Sequence, residues 1–172
     1  EVRAARDIGV RFHPTRGSMS LSKKNGGLPP DTVVQTDDEI LSESERVIHQ
    51  YHDRSRYAMT RVALAPCSPF SVTTRLMKDT ATLANKEDVL LHTHLAETQD
   101  EEAFCLETFG ARPVDYMEQV GWLTPRTWFA HVVWASEEDI RKLADHECGM
   151  AHCPASNMRL GSGIAPVSAM KD

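Results

Sequence analysis

An alternation along the chain constrains this fold more than any single motif. Short apolar runs at 8–13, 61–65, 89–94, 127–133 and 149–153 each break at a proline, a glycine or a polar cluster. Between them lie stretches with helical spacing at 37–56, 73–85, 99–109, 113–120 and 136–146, and residues 1–7 also read as helix. Asp37 or Asp38 is expected to cap the 37–56 helix, and Ser136 the 136–146 helix. Strands alternating with helices imply βαβ units and a parallel sheet. Two α/β architectures satisfy the string: an open doubly wound sheet, or part of a (β/α)8 TIM-type barrel. No G-x-G-x-x-G follows the first strand, which weakens a dinucleotide-binding reading. A full barrel needs roughly 250 residues. This chain of 172 would supply five of the eight units. It starts at Glu1 inside helical sequence and stops at Asp172 after a Gly-rich loop, so it reads as a section of something longer.

Composition narrows the function classes. The formal charge is −6 and no dense Lys/Arg block occurs, so nucleic acid is not an expected partner. No apolar run approaches the roughly 18 residues that suggest a membrane span. Cys67, Cys105, Cys148 and Cys153 form no C-x-x-C pair. Scattered cysteines of this kind fit a reducing compartment, and the cytoplasm is expected.

Reactive side chains gather where the apolar runs end. His13 and Arg16 follow the first run, Cys67 and Ser68 the second, and His92, His94 and Glu97 end the third. His131 lies in the fourth, and His152 and Cys153 in the fifth, with Ser156 and Asn157 just beyond. Parallel α/β folds build their active sites at the carboxyl ends of strands. Within 91–98, His92 and His94 share one face of a strand, because side chains alternate. Neutral imidazoles suit zinc or iron. Glu97, three residues past His94, stands where a carboxylate can move protons without ligating a metal. The plain alternative is a partly buried, hydrogen-bonded H-x-H pair. His131, alone in an apolar run, reads either as a satisfied core histidine or as a site residue on the neighbouring strand. The loop at 16–31 reads as a lid over a planar substrate, a solvated surface loop or a dimer contact.

Together, His94-Leu-Ala-Glu97, the isolated His131 and the stretch His152-Cys-Pro-Ala-Ser-Asn-Met-Arg-Leu-Gly161 resemble the amidohydrolase superfamily. The likeness is to the branch holding cytosine, guanine and S-adenosylhomocysteine deaminases and triazine hydrolases. The stretches 11–22 and 26–30 are similar to bacterial 8-oxoguanine deaminases and hydroxyatrazine hydrolases. The resemblance implies barrel strands 3 to 7 and one divalent metal, zinc or else iron. It implies that His94 is a metal ligand and Glu97 the proton shuttle, with His131 orienting hydroxide and polarising the bond under attack. Cys67 and Ser68 match a substrate-contacting position, and Arg16 is a candidate partner for a substrate carbonyl. Asn157 falls beside the pocket. His92 is expected behind the site and His152 in packing. The expected partner is a small heterocyclic substrate, and the expected assembly a homo-oligomer. The family's first-strand H-x-H and eighth-strand Asp are missing here, so the chain alone is expected to be inactive.

Overall fold

The computed structural model describes residues 1–171. Five parallel strands form one sheet in sequential order: β1 (Thr15–Ser18), β2 (Ala63–Pro66), β3 (Leu90–Leu95), β4 (Thr127–His131) and β5 (Gly149–Ala151). Helices α1 (Val2–Ile8), α2 (Asp37–Tyr51), α3 (Thr74–Glu87), α4 (Gln99–Phe109), α5 (Pro113–Gln119), α6 (Glu137–Asp145) and α7 (Pro154–Leu160) precede, link and follow them. Sequential parallel neighbours joined by helices fit part of a barrel wall, one of the two architectures the alternation allowed.

The core lies between sheet and helices. Leu91 and Leu95 of β3 and Phe129 of β4 meet Leu76 and Met77 of α3 and Met117 of α5, all buried. Trp122 is fully buried, and its indole N–H donates to the Met77 carbonyl at 2.9 Å, so its polar end is satisfied. The starts of α2, α3, α4 and α6 are fixed by side chains. Thr36, not Asp37 or Asp38, caps α2, because its hydroxyl and Glu39 form a reciprocal capping box. Ser136 caps α6 as expected, paired with Asp139.

The first strand lies further along than the apolar run suggested. Residues 8–13 do not form it. Ile8 ends α1, Gly9 turns the chain left-handed at φ 77°, and Phe12 makes only an isolated bridge to Thr60. Ile8 and Val10 stay exposed, so that run was never core. The strand follows Pro14, where Thr15 pairs with Ala63. The loop expected at 16–31 therefore begins as strand, and its remainder is pinned. Ser20 and Leu21 amides donate to the Ser71 carbonyl, and Leu28 to that of Phe70. α2 also stops at Tyr51, short of 56, and β4 at His131, short of 133. Residues 154–160, where the sequence pattern predicts no element, form α7. Among the described residues no helix is long and apolar enough to cross a membrane.

Candidate active site

His94, Glu97 and His131 meet at the carboxyl ends of β3 and β4. Their cavity of about 270 Å³ is also lined by Cys67, Ser68, Phe70, Glu101, Ser156 and Leu160. The His94 and His131 rings stack at 5.3 Å between centroids. Glu97 Oε2 lies 3.5 Å from His131 Nε2.

Each side chain is held by an identifiable contact. The Cys67 carbonyl accepts from His94 Nδ1 at 2.5 Å and from the His94 amide at 3.1 Å. With Nδ1–H spent there, Nε2 is the nitrogen free for a metal, an arrangement typical of ligating histidines. The Cys67 thiol at 3.9 Å, together with that carbonyl, pushes His94 up to about 9, and the same contact holds the thiol below its usual range. A metal at Nε2 must therefore displace a proton. His131 Nδ1 donates to Asn157 Oδ1 at 2.6 Å, and both residues are buried. Ser162 Oγ donates to Glu97 Oε1 at 3.3 Å.

The backbone is left-handed at Ala96 (φ 48°), His131 (φ 73°) and Val132 (φ 46°). Such values are costly for residues with a Cβ, above all a β-branched one. The turns are stitched together: the Val132 amide donates to the Leu95 carbonyl, and the Val133 and Trp134 amides to that of Ala96. Glu101, from the first turn of α4, is 1% exposed. Burial pushes its carboxyl up to about 7 while the Glu97 and Ala96 N–H groups pull it down.

Of the residues singled out from sequence, His94, Glu97, His131, Cys67 and Ser68 come together. Arg16 does not join them: it sits on β1, and its guanidinium donates to Gln35 at 2.9 Å beside a separate groove. His92 lies one layer below, stacked on Trp128 at 4.7 Å with Nδ1 bonded to the Trp128 carbonyl. His152 is exposed. The sequence reading missed Glu101 and Ser162. Glu101 had a visible signal, because it stands three residues after Thr98 in a capping-box pattern. The glycine-rich stretch around Ser162 carried none.

The donor set tests the metal directly. His94 Nε2 is a fitting imidazole ligand, but it joins no group of three potential ligands. Among the described residues such a group occurs only at Glu45, His49 and Glu87 on the helical side. If a metal binds at this rim, His94 is the one imidazole here placed to hold it.

Five parallel strands in sequential order, with reactive side chains gathered at their carboxyl rim, define part of a (β/α)8-type barrel. The amidohydrolase family model matches residues 2–172, and the chain belongs to that family, whose members use a divalent metal. It is 56% identical over 160 residues to the 8-oxoguanine deaminase of Pseudomonas aeruginosa, covering 93% of this chain and 36% of that protein. It is 36% identical over 167 residues to the hydroxydechloroatrazine ethylaminohydrolase of Pseudomonas sp. strain ADP, covering 97% and 34%. The atrazine chlorohydrolase of Arthrobacter aurescens TC1, solved with zinc, superposes with a TM-score of 0.95 at 35% identity, covering 99% of this chain and 38% of that one. The chain thus spans little more than a third of these relatives.

Proposed function

We propose that this chain is the central wall of a metal-dependent hydrolytic deaminase acting on an amino-substituted nitrogen heterocycle, with 8-oxoguanine as substrate. The single observation carrying this is the meeting of His94, Glu97 and His131 at one cavity on the strand ends. The identity to the Pseudomonas deaminase supports the choice of ring. In this reading the remaining metal ligands come from barrel strands outside these 172 residues, and the 172 residues alone are inactive. His94 would be one ligand of a zinc ion, whose Lewis acidity would make water nucleophilic near neutral pH.

The chain's own residues then handle protons and orientation. Glu97, steadied by Ser162, takes a proton from the attacking water. It delivers that proton to the ring nitrogen beside the carbon under attack, and then helps ammonia depart. His131, oriented by Asn157, presents Nε2 to the polarised bond. Cys67 and Ser68 form the wall against which the ring lies. Water and 8-oxoguanine give urate and ammonia.

The test uses the complete protein that carries this chain, purified with zinc. Incubation with 8-oxoguanine should release ammonia and urate stoichiometrically. Glu97→Gln should keep its zinc by elemental analysis and lose roughly 100-fold or more in turnover, the usual worth of a positioned acid/base. Full turnover in Glu97→Gln would remove the carboxylate from its role. A second reading, C–N hydrolysis of a hydroxytriazine, is favoured by the 36% identity to the hydroxydechloroatrazine ethylaminohydrolase. Ethylamine rather than ammonia as product would select it.

A further inference from the structure

We propose that Glu101 is the positioning residue for Glu97, its carboxylate gripping the turn that aims Glu97 into the cavity. The proposal rests on the reading of Glu97 given above. Glu101 Oε1 accepts from the Ala96 amide at 2.7 Å, and Oε2 from the Glu97 amide at 2.9 Å. One carboxylate thus spans two successive backbone N–H groups, one of them on the left-handed Ala96. A helix-capping glutamate ordinarily reaches back to the cap residue's own N–H. The cap here is Thr98, whose hydroxyl accepts from the Glu101 amide, and the Glu101 side chain passes it to reach Ala96 and Glu97.

That geometry explains how an unfavourable backbone survives. Ala96 has a Cβ and pays for its left-handed conformation. Its amide, like that of Glu97, would be cut off from the β-ladder at the strand end. Glu101 satisfies both with charge-assisted bonds, which are short and strong. Its own burial in the wall of the cavity keeps water from competing. The turn leaves Glu97 pointing between His131 and Ser162. Gln at 101 keeps the shape but offers only one oxygen, so an amide NH2 would face one of the two N–H donors. Residue 97 would then turn away from His131.

Two measurements decide it. In the complete zinc-loaded protein, Glu101→Gln should lower kcat by roughly 10- to 100-fold, the scale of orienting partners around a site, with zinc content and KM retained. Unchanged kcat, or a loss confined to KM, overturns the proposal. Amide hydrogen exchange provides a readout independent of activity. Glu101→Gln should speed exchange at Ala96 and Glu97 by roughly 10-fold while Leu91 and Phe129 keep their protection. Uniform acceleration across the sheet means a general stability role, and unchanged exchange at Ala96 and Glu97 means no tie; either overturns it. If the unaltered protein releases neither ammonia nor amine, the deaminase reading fails, and exchange still decides the grip of Glu101 on the turn.

Discussion

Gly27→Ala should damage this protein through space alone. A Cβ built on Gly27 falls 2.2 Å from the Leu21 carbonyl oxygen and 2.8 Å from that of Phe70. Both obstacles are backbone, so no side chain can swing aside. Relief needs the 21–28 loop to move by about 1 Å, an overpacking cost of about 1–3 kcal/mol. The movement strains the Gly27 amide bond to the Ser22 carbonyl and the Leu28 bond to Phe70, each worth about 1 kcal/mol. The expected loss is about 3 kcal/mol, or a drop in Tm of about 6–12 °C for a domain of this size. Gly26→Ala separates crowding from backbone strain. Gly26 has φ +91° but open space around its Cβ position, so only the conformational cost of about 1 kcal/mol applies. Urea and thermal unfolding of the two variants against the parent give the comparison. A Gly27→Ala loss under 0.5 kcal/mol, or one no larger than that of Gly26→Ala, would refute the reasoning. Phe70 and Ser68 line the cavity, so the same shift should also raise KM in the complete enzyme.

Asn157→Leu leaves the buried Nδ1 of His131 without its acceptor, costing about 1–3 kcal/mol. Urea unfolding measures the loss, and imidazole nitrogen shifts report the altered tautomer. His52 gives a pH dependence. Its Nδ1 accepts from the Val62 amide at 3.0 Å, and burial holds its pKa below the ordinary 6.5. The native state therefore binds this proton less readily than the unfolded chain. The stability it contributes is complete above pH 6.5 and is lost as pH falls through the lowered native value. His52→Asn, which keeps an acceptor but does not titrate, should flatten the acid limb of a stability-versus-pH curve. An identical acid limb would count against the assignment.

The sheet was legible because parallel strands buried on both faces announce themselves as apolar runs, and four of the five lay within a few residues of their expected places. The first failed for a physical reason: Ile8 and Val10 are apolar but exposed, and pairing rather than hydropathy puts β1 at Thr15–Ser18. Composition at 16–31 could not reveal that Ser20, Leu21 and Leu28 bond to the 70–71 backbone. The helix at Pro154–Leu160 hid behind a proline that reads as a strand stop but sits comfortably in a helix's first turn. Site residues on β3 and its loop were readable from motif and spacing. Arg16, singled out from the separate 11–22 stretch, does not join them, because on β1 it bonds to Gln35.

His131 exposes a limit in arguing from strand periodicity. Register pairs His92 with Trp128 and His94 with Ala130, leaving His131 opposite Leu95. Leu95 packs into the helix-facing core. Alternation alone would therefore send His131 to that core, away from His94. The left-handed backbone at His131 and Val132 reverses this and lays the imidazole over the His94 ring. The same device acts at Ala96, one residue before Glu97. Two strands thus place three reactive side chains at one point only by leaving β geometry at their last residues. That departure is sustained by bonds from Asn157, Glu101 and the Leu95 and Ala96 carbonyls. Changing any of these supports should loosen the site well before it unfolds the sheet, because the core residues of β3 and β4 do not depend on them.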